Sequence, residues 1–158
     1  MPTSEEFDLL HPFTVTLWIY REPGAVQDAH APFVTKGDGT WRIQANGQGE
    51  TVGFHMATDQ GALFNDAPAD AIEDGKWHHV AAVFTGKANQ VYVGGRLLSE
   101  RKRETEVRVK THGRPVRIGG NVDAPDRDFF GRIDDVRIYK RALERSEIQK
   151  VARGQTLE

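Results

Sequence analysis

Cysteine is absent from the chain, which removes thiol nucleophiles, Cys-x-x-Cys redox chemistry, disulfides and thiolate metal sites together and leaves the redox compartment undetermined. No apolar run approaches the about 20 residues a membrane-spanning helix requires. The first residues, MPTSEEFDLL, also lack the basic and apolar pattern of a secretory signal. Neither charge is in excess: 21 Lys plus Arg stand against 23 Asp plus Glu, so no broad basic field exists to hold nucleic acid or an anionic membrane. The expected partner is neutral or small, with no nucleic acid and no membrane insertion. Ready-made catalytic signatures are missing too. There is no HExxH pattern and no paired nucleophile motif, and the turns at Lys36-Gly37-Asp38-Gly39 and Gly119-Gly120 lack the strand-to-helix setting of a phosphate loop.

What the chain has is alternation. Its 158 residues suit one domain with a sizeable core. Phe13, Val15, Leu17 and Ile19 recur with the period of two of a strand, and the intervening Thr14, Thr16, Trp18 and Tyr20 are not strongly polar, so this strand is expected to be covered on both sides. Further strands are expected at 33–36, 41–45, 51–57, 62–65, 77–85, 90–93, 96–100, 105–110, 116–119 and 130–139, separated by turns such as Asn46-Gly47, Asp74-Gly75 and Gly94-Gly95. Many short strands at close spacing predict an all-β, two-sheet antiparallel sandwich. The tail changes period. Leu143, Ile148 and Val151 fit one short C-terminal helix with Glu147 in its first turn and Gly154 past its end, plugging an open end or edge of the sandwich.

Four blocks resemble the laminin-G-like, concanavalin A-like jelly-roll domains of bacterial modular proteins. They are Pro12-Phe13-Thr14-Val15-Thr16-Leu17-Trp18-Ile19, Trp77-His78-His79-Val80-Ala81-Ala82-Val83-Phe84, Val91-Tyr92-Val93-Gly94-Gly95-Arg96, and Gly131-Arg132-Ile133-Asp134-Asp135-Val136-Arg137-Ile138-Tyr139 followed by Arg141-Ala142-Leu143. The resemblance implies a jelly roll over 12–153, preceded by a lead-in over 1–11 that holds a truncated first strand. Residues 154–158 form a tail whose Leu157-Glu158 fits a cloning scar. It departs from the family at Gly94-Gly95, where Asp-Gly is usual, and at Glu144, where a Ser or Thr helix cap is usual. It further implies carbohydrate, glycoprotein or cell-surface recognition by a domain excised from a larger extracellular, periplasmic or surface protein. The alternative is a structural module packed on neighbouring domains.

Catalysis finds little support. Glu104-Thr105-Glu106 has the spacing that aims two carboxylates at one face, as a retaining glucanase needs, but sits in a charged segment without an aromatic to hold a sugar ring. Asp134 and Asp135 are adjacent and so are expected on opposite faces of a strand; His78 and His79 diverge likewise and read as packed or hydrogen-bonded. A noncatalytic binding module is expected.

Sugar recognition wants flat apolar faces and planar polar groups on loops of a rigid scaffold. Three stretches offer them: Trp41 beside Asp38 and Arg42, Phe64-Asn65-Asp66, and the loop NVDAPDRDF over 121–129. The candidate ligand-binding residues are Trp41, Asn121, Asp126, Arg127 and Phe129, with Trp41 and Phe64 open to an alternative reading as inward core aromatics. Trp77 is expected to be core. The resemblance also implies a calcium ion at the sandwich rim, with Asp123, Asp126 and Asp128 as candidate ligands, or Asp134 or Asp135 with a group from the N-terminal segment.

Overall fold

In the computed structural model, which describes residues 7–47 and 50–157, the alternating segment becomes strand β1 (Phe13–Arg21). Its Phe13, Val15, Leu17 and Ile19 are at most 1% exposed and face the core. The strands that follow are β2 (Pro32–Thr35), β3 (Trp41–Asn46), β4 (Thr51–Thr58), β5 (Gly61–Asp66), β6 (Trp77–Phe84), β7 (Ala88–Val93), β8 (Arg96–Lys102), β9 (Arg117–Ile118) and β10 (Gly131–Tyr139). Two five-stranded antiparallel sheets result, ordered β10-β1-β6-β7-β8 and β5-β4-β3-β2-β9. Their inner faces meet in the jelly-roll core. Phe13 is its hub, with the rings of Trp41, Phe54 and Phe84 at 5.7, 5.9 and 5.9 Å.

The hairpin between β7 and β8 turns on Gly94 and Gly95, at φ 58° and 77°, so the departure from Asp-Gly keeps the positive φ that such a turn requires. Residues 105–110 do not form the expected strand. Val107 and Val109 alternate inward as the pattern predicts, but the backbone bonds of this segment go to Gly86, Asp59 and Ala57 rather than to one partner strand, leaving a single bridge from Val109 to Thr58.

The helix α1 (Arg145–Ala152) does not plug an end. It lies on the outer face of the first sheet, where Leu143 and Ile148 pack on Ala81, Val83 and Tyr92. Its start is secured despite the absence of Ser or Thr. The Glu147 carboxylate accepts the Glu144 N–H at 2.8 Å and a two-pronged contact from Arg141 at 2.7 Å, a reciprocal cap. The Arg141 fork, then the Glu144 N–H, hold the Glu147 carboxyl down at about 2.

The other half of that outer face is bare of helix. Trp77, expected in the core, is 43% exposed there, because it pairs with Tyr20 at the outward position of β6. Its neighbour two residues on, His79, is 1% exposed, and neither ring nitrogen has a hydrogen-bond partner among the described residues. Burial pushes this imidazole down to about 4, against a weaker opposing pull from Asp135. The unfolded chain takes up that proton near 6.5, so between these two values it binds more protons than the native state. Stability is full above that window and falls through it on acidification, by on the order of 3 kcal/mol. Urea unfolding at pH 7.5 and at pH 4.5 checks this. A His79→Leu variant is expected to show a flatter pH dependence, and an identical dependence would assign the acid loss elsewhere.

Candidate functional site

On the second sheet, the positions of β3, β4 and β5 that do not face the core bring two mostly polar rows of residues together. Arg42, His55 and Phe64 form one row across the strands; Gln44, Gly53 and Asp66 form the next. In the first row Phe64, 46% exposed, stacks on the His55 ring at 4.5 Å, and the Arg42 guanidinium lies 5.6 Å from its centroid. In the second, the side chain missing at Gly53 lets Asn46 reach across to donate to the Asp66 carboxylate. A Cβ there would stand 2.4 Å from both Asn46 Nδ2 and Asp66 Oδ1. Around this gap, Gln44 Nε2 and His30 Nδ1 donate to Asn46 Oδ1 at 2.6 and 2.9 Å, and His55 Nε2 donates to Asp66 Oδ1 at 2.7 Å.

The face is thus a recessed floor with an open rim. Gln44, Asn46 and His55 are buried, while His30, Phe64 and Asp66 are exposed. The hydrogen bond from His55, helped by that from Asn46, holds the Asp66 carboxyl below the usual carboxylate range. Gln44 Oε1, Arg42 Nε and His55 Nδ1 have no partner among the described residues. Beside Phe64 and Asp66 an open groove of about 590 Å³ continues to residues 99–102.

The other side of the rim belongs to the charged loop over 121–129, joined to the face through Asp38. The Asp38 carboxylate lies 3.3 Å from Arg42 and 3.4 Å from Arg127, and accepts the Asn121 side-chain amide at 2.7 Å. Arg127 is thereby placed at the rim of this face. Asn121, 1% exposed, is a pin inside the loop rather than a ligand contact. Asp126 is exposed on the loop. Phe129 turns inward, edge-on to Phe33 at 5.0 Å, and its neighbour Phe130 is the exposed one. Trp41 is 1% exposed at the Phe13 hub, so it is core and offers no platform.

With this geometry in place, the laminin G 3 profile of the concanavalin A-like lectin/glucanases superfamily matches residues 2–149. The chain belongs to that superfamily. A curated relative, adhesion G-protein coupled receptor V1 of Danio rerio, is 29% identical over 94% of the chain, which spans 2% of that receptor's length. Among solved structures, domain 4 of the extracellular GH43 arabinanase AbnA of Geobacillus stearothermophilus, in complex with arabinotriose, is similar at a TM-score of 0.63 and 23% identity, over 90% of this chain and 67% of that one. A candidate carbohydrate-binding protein of Bacteroides ovatus reaches a TM-score of 0.73 at 13% identity, over 89% and 40%. A heptameric SAP-like pentraxin of Limulus polyphemus gives 0.61 at 18%, over 90% and 70%. At these identities the three structures speak to the fold.

In this member of the superfamily the donor set proposed for calcium does not fit the ion. No group of three or more His, Asp or Glu able to hold a metal occurs among the described residues. The Asp123 carboxylate accepts the Asp38 N–H at 2.8 Å and pairs with Arg114 at 3.1 Å; the Asp128 backbone N–H is held by Asp28. Cationic Arg127 within the loop and Arg114 beside it oppose a further cation. The alternative pairing of Asp134 or Asp135 with the N-terminal segment falls partly on residues 1–6, outside the described residues. Melting curves with millimolar calcium and with chelator are expected to superimpose. A rise with calcium and not with magnesium would show a site that these carboxylates do not explain.

The face was legible in part. Arg42, Gln44 and Asn46 alternate with core residues in β3, a polar row that lies on a strand and not on the loops where recognition residues are expected. Phe64, for which an inward core position is the alternative expectation, is 46% exposed. It points outward because Asn65 takes the inward place, donating to the Asn89 carbonyl at 2.8 Å and accepting from Ser99 Oγ at 2.6 Å where the sheets meet.

Proposed function

We propose that the domain is a noncatalytic recognition module of a larger extracellular protein, holding a neutral glycan on the outer face of the second sheet. The observation that carries this reading is the set Arg42, Gln44, Asn46, His55 and Asp66 around the exposed ring of Phe64. It offers donors and acceptors together, as sugar hydroxyls require, beside a flat apolar edge. The arabinotriose held by the arabinanase domain and the name of the Bacteroides protein support the same class of ligand. The noncatalytic part rests on charge. A glycosidase acid needs a raised pKa, whereas the Asp66 carboxyl is held below the usual carboxylate range by the His55 hydrogen bond.

A glycan array tests this, with arabinotriose as the first soluble probe. The intact domain is expected to capture a restricted set of neutral oligosaccharides. Arg42→Ala and Phe64→Ala are expected to weaken capture about tenfold or more while remaining folded. A clean negative across the array would favour the second reading, a module that packs on neighbouring domains or another protein. The likeness to an adhesion receptor supports that alternative.

A further inference from the structure

The bare half of the first sheet's outer face carries a second constellation, remote from the glycan face and independent of it. Trp18 of β1, Trp77 of β6, and Asp134 and Asp135 of β10 line a shallow cleft of about 570 Å³. Tyr20 extends its aromatic wall, 5.6 Å from Trp77. Two adjacent aspartates on a regular strand would point to opposite faces, and here they do not. The β1–β10 register slips between Thr16 and Trp18, which pair with Arg137 and Asp134. Asp135, at φ 49°, bulges so that both carboxylates line the same cleft. A positive φ at Asp is tolerated but uncommon.

The chemistry of the lining is one-sided. Asp135 is paired with Arg137 at 2.7 Å. Asp134 has no ion pair among the described residues and accepts only the Asp135 N–H at 2.8 Å. Next to Trp18 lies His79, its ring 5.4 Å away, buried and without a hydrogen-bond partner among the described residues. The lining residues are two tryptophans and two aspartates, and of the two carboxylates Asp134 is the one without a cationic partner among the described residues. Sugar hydroxyls need both donors and acceptors, and the second sheet offers both; this cleft matches a ligand that is cationic and apolar at once. The protein itself rests a cation on the same aromatic row, with Arg132 5.0 Å above Tyr20.

We propose that the Trp18–Trp77 cleft binds an alkylated ammonium head group, seated against the indole faces with Asp134 as its counter-ion. A weakly hydrated quaternary ammonium suits it better than a primary one, because an open aromatic surface cannot replace the tighter hydration shell of the latter.

The indole N–H signals of the whole chain provide the readout, since its three tryptophans include Trp41, buried in the core, as an internal control. Choline is titrated against its uncharged isostere 3,3-dimethylbutan-1-ol, at constant ionic strength. Saturable shifts of Trp18 and Trp77 are expected with choline, Trp41 staying still, and binding of the isostere about tenfold weaker or less. Trp77→Ala and Asp134→Asn are each expected to lower the choline affinity about tenfold. Asn keeps the acceptor for the Asp135 N–H, so that variant folds; Arg42→Ala, on the opposite face, should leave choline binding unchanged while lowering glycan binding. Three results would overturn the proposal: no saturable shift up to about 0.1 M choline, far above the millimolar range; equal binding of the isostere; or arabinotriose shifting the same two indoles, which would make this cleft a sugar site.

Discussion

Trp41→Ala is expected to lower the unfolding free energy by about 3–5 kcal/mol, the largest loss of any single tryptophan. Trp41 is 1% exposed and packs with Phe13, itself in ring contact with Phe54 and Phe84. Truncation leaves a void at the point where the two sheets meet, and close-packed neighbours fill such a void only in part. For a domain of this size the midpoint should fall by roughly 6–20 °C. Trp77→Ala should cost only about 1–2 kcal/mol, since its ring is 43% exposed and its main contact is Tyr20. Urea and thermal unfolding of the two variants decide between them. A larger loss at Trp77 than at Trp41 would mean that the inward and outward faces have been assigned the wrong way round.

Gly53→Ala is expected to do the opposite: little to stability, much to binding. The backbone of Gly53 is ordinary strand, so alanine fits its conformation, but the new Cβ would meet Asn46 Nδ2 and Asp66 Oδ1 at 2.4 Å and His55 Nε2 at 3.0 Å. These are the far ends of side chains and can move aside. Moving them opens the hydrogen bonds among Asn46, His55 and Asp66 that fix the polar groups of the face. The cost to folding should stay near 1 kcal/mol, while affinity for a captured glycan drops about tenfold or more, because pre-organised polar groups are replaced by mobile ones. Calorimetric titration alongside a melting curve separates the two effects. Unchanged affinity in a folded Gly53→Ala domain would detach this network from ligand binding.

The elements could be read from the chain because each depends on local periodicity. The Phe13–Ile19 alternation and the Gly94-Gly95 turn reappear as expected, and Ile148 and Val151 are the buried residues of the helix, with Leu143 packed just before its start. Sidedness was harder, since a strand's two faces are told apart only by what pairs beside it. Trp77 sits within an apolar block yet faces out, while Asn65 faces in and displaces Phe64, because buried carbonyls at the sandwich edge need its amide. The bulge at Asp135 shifts two aspartates onto one face, and no pattern within β10 alone announces it. The face proposed for glycan draws on Arg42, Asn46, His55, Asp66 and Arg127, residues separated along the chain and brought together by strand pairing and the Asp38 contact. The loop over 121–129 was found because its charge density is local; its inward residues, Asn121 and Phe129, were not distinguishable from its outward ones by composition.

Ligand binding on the outer face of the second sheet is tested most directly by amide chemical-shift mapping during titration with a captured oligosaccharide. Shifts should concentrate at Arg42, Gln44, Asn46, His55, Phe64, Asp66 and Arg127, and saturate together with one affinity. Saturating shifts confined to Trp18, Trp77 and Asp134, on the other sheet, would contradict the account.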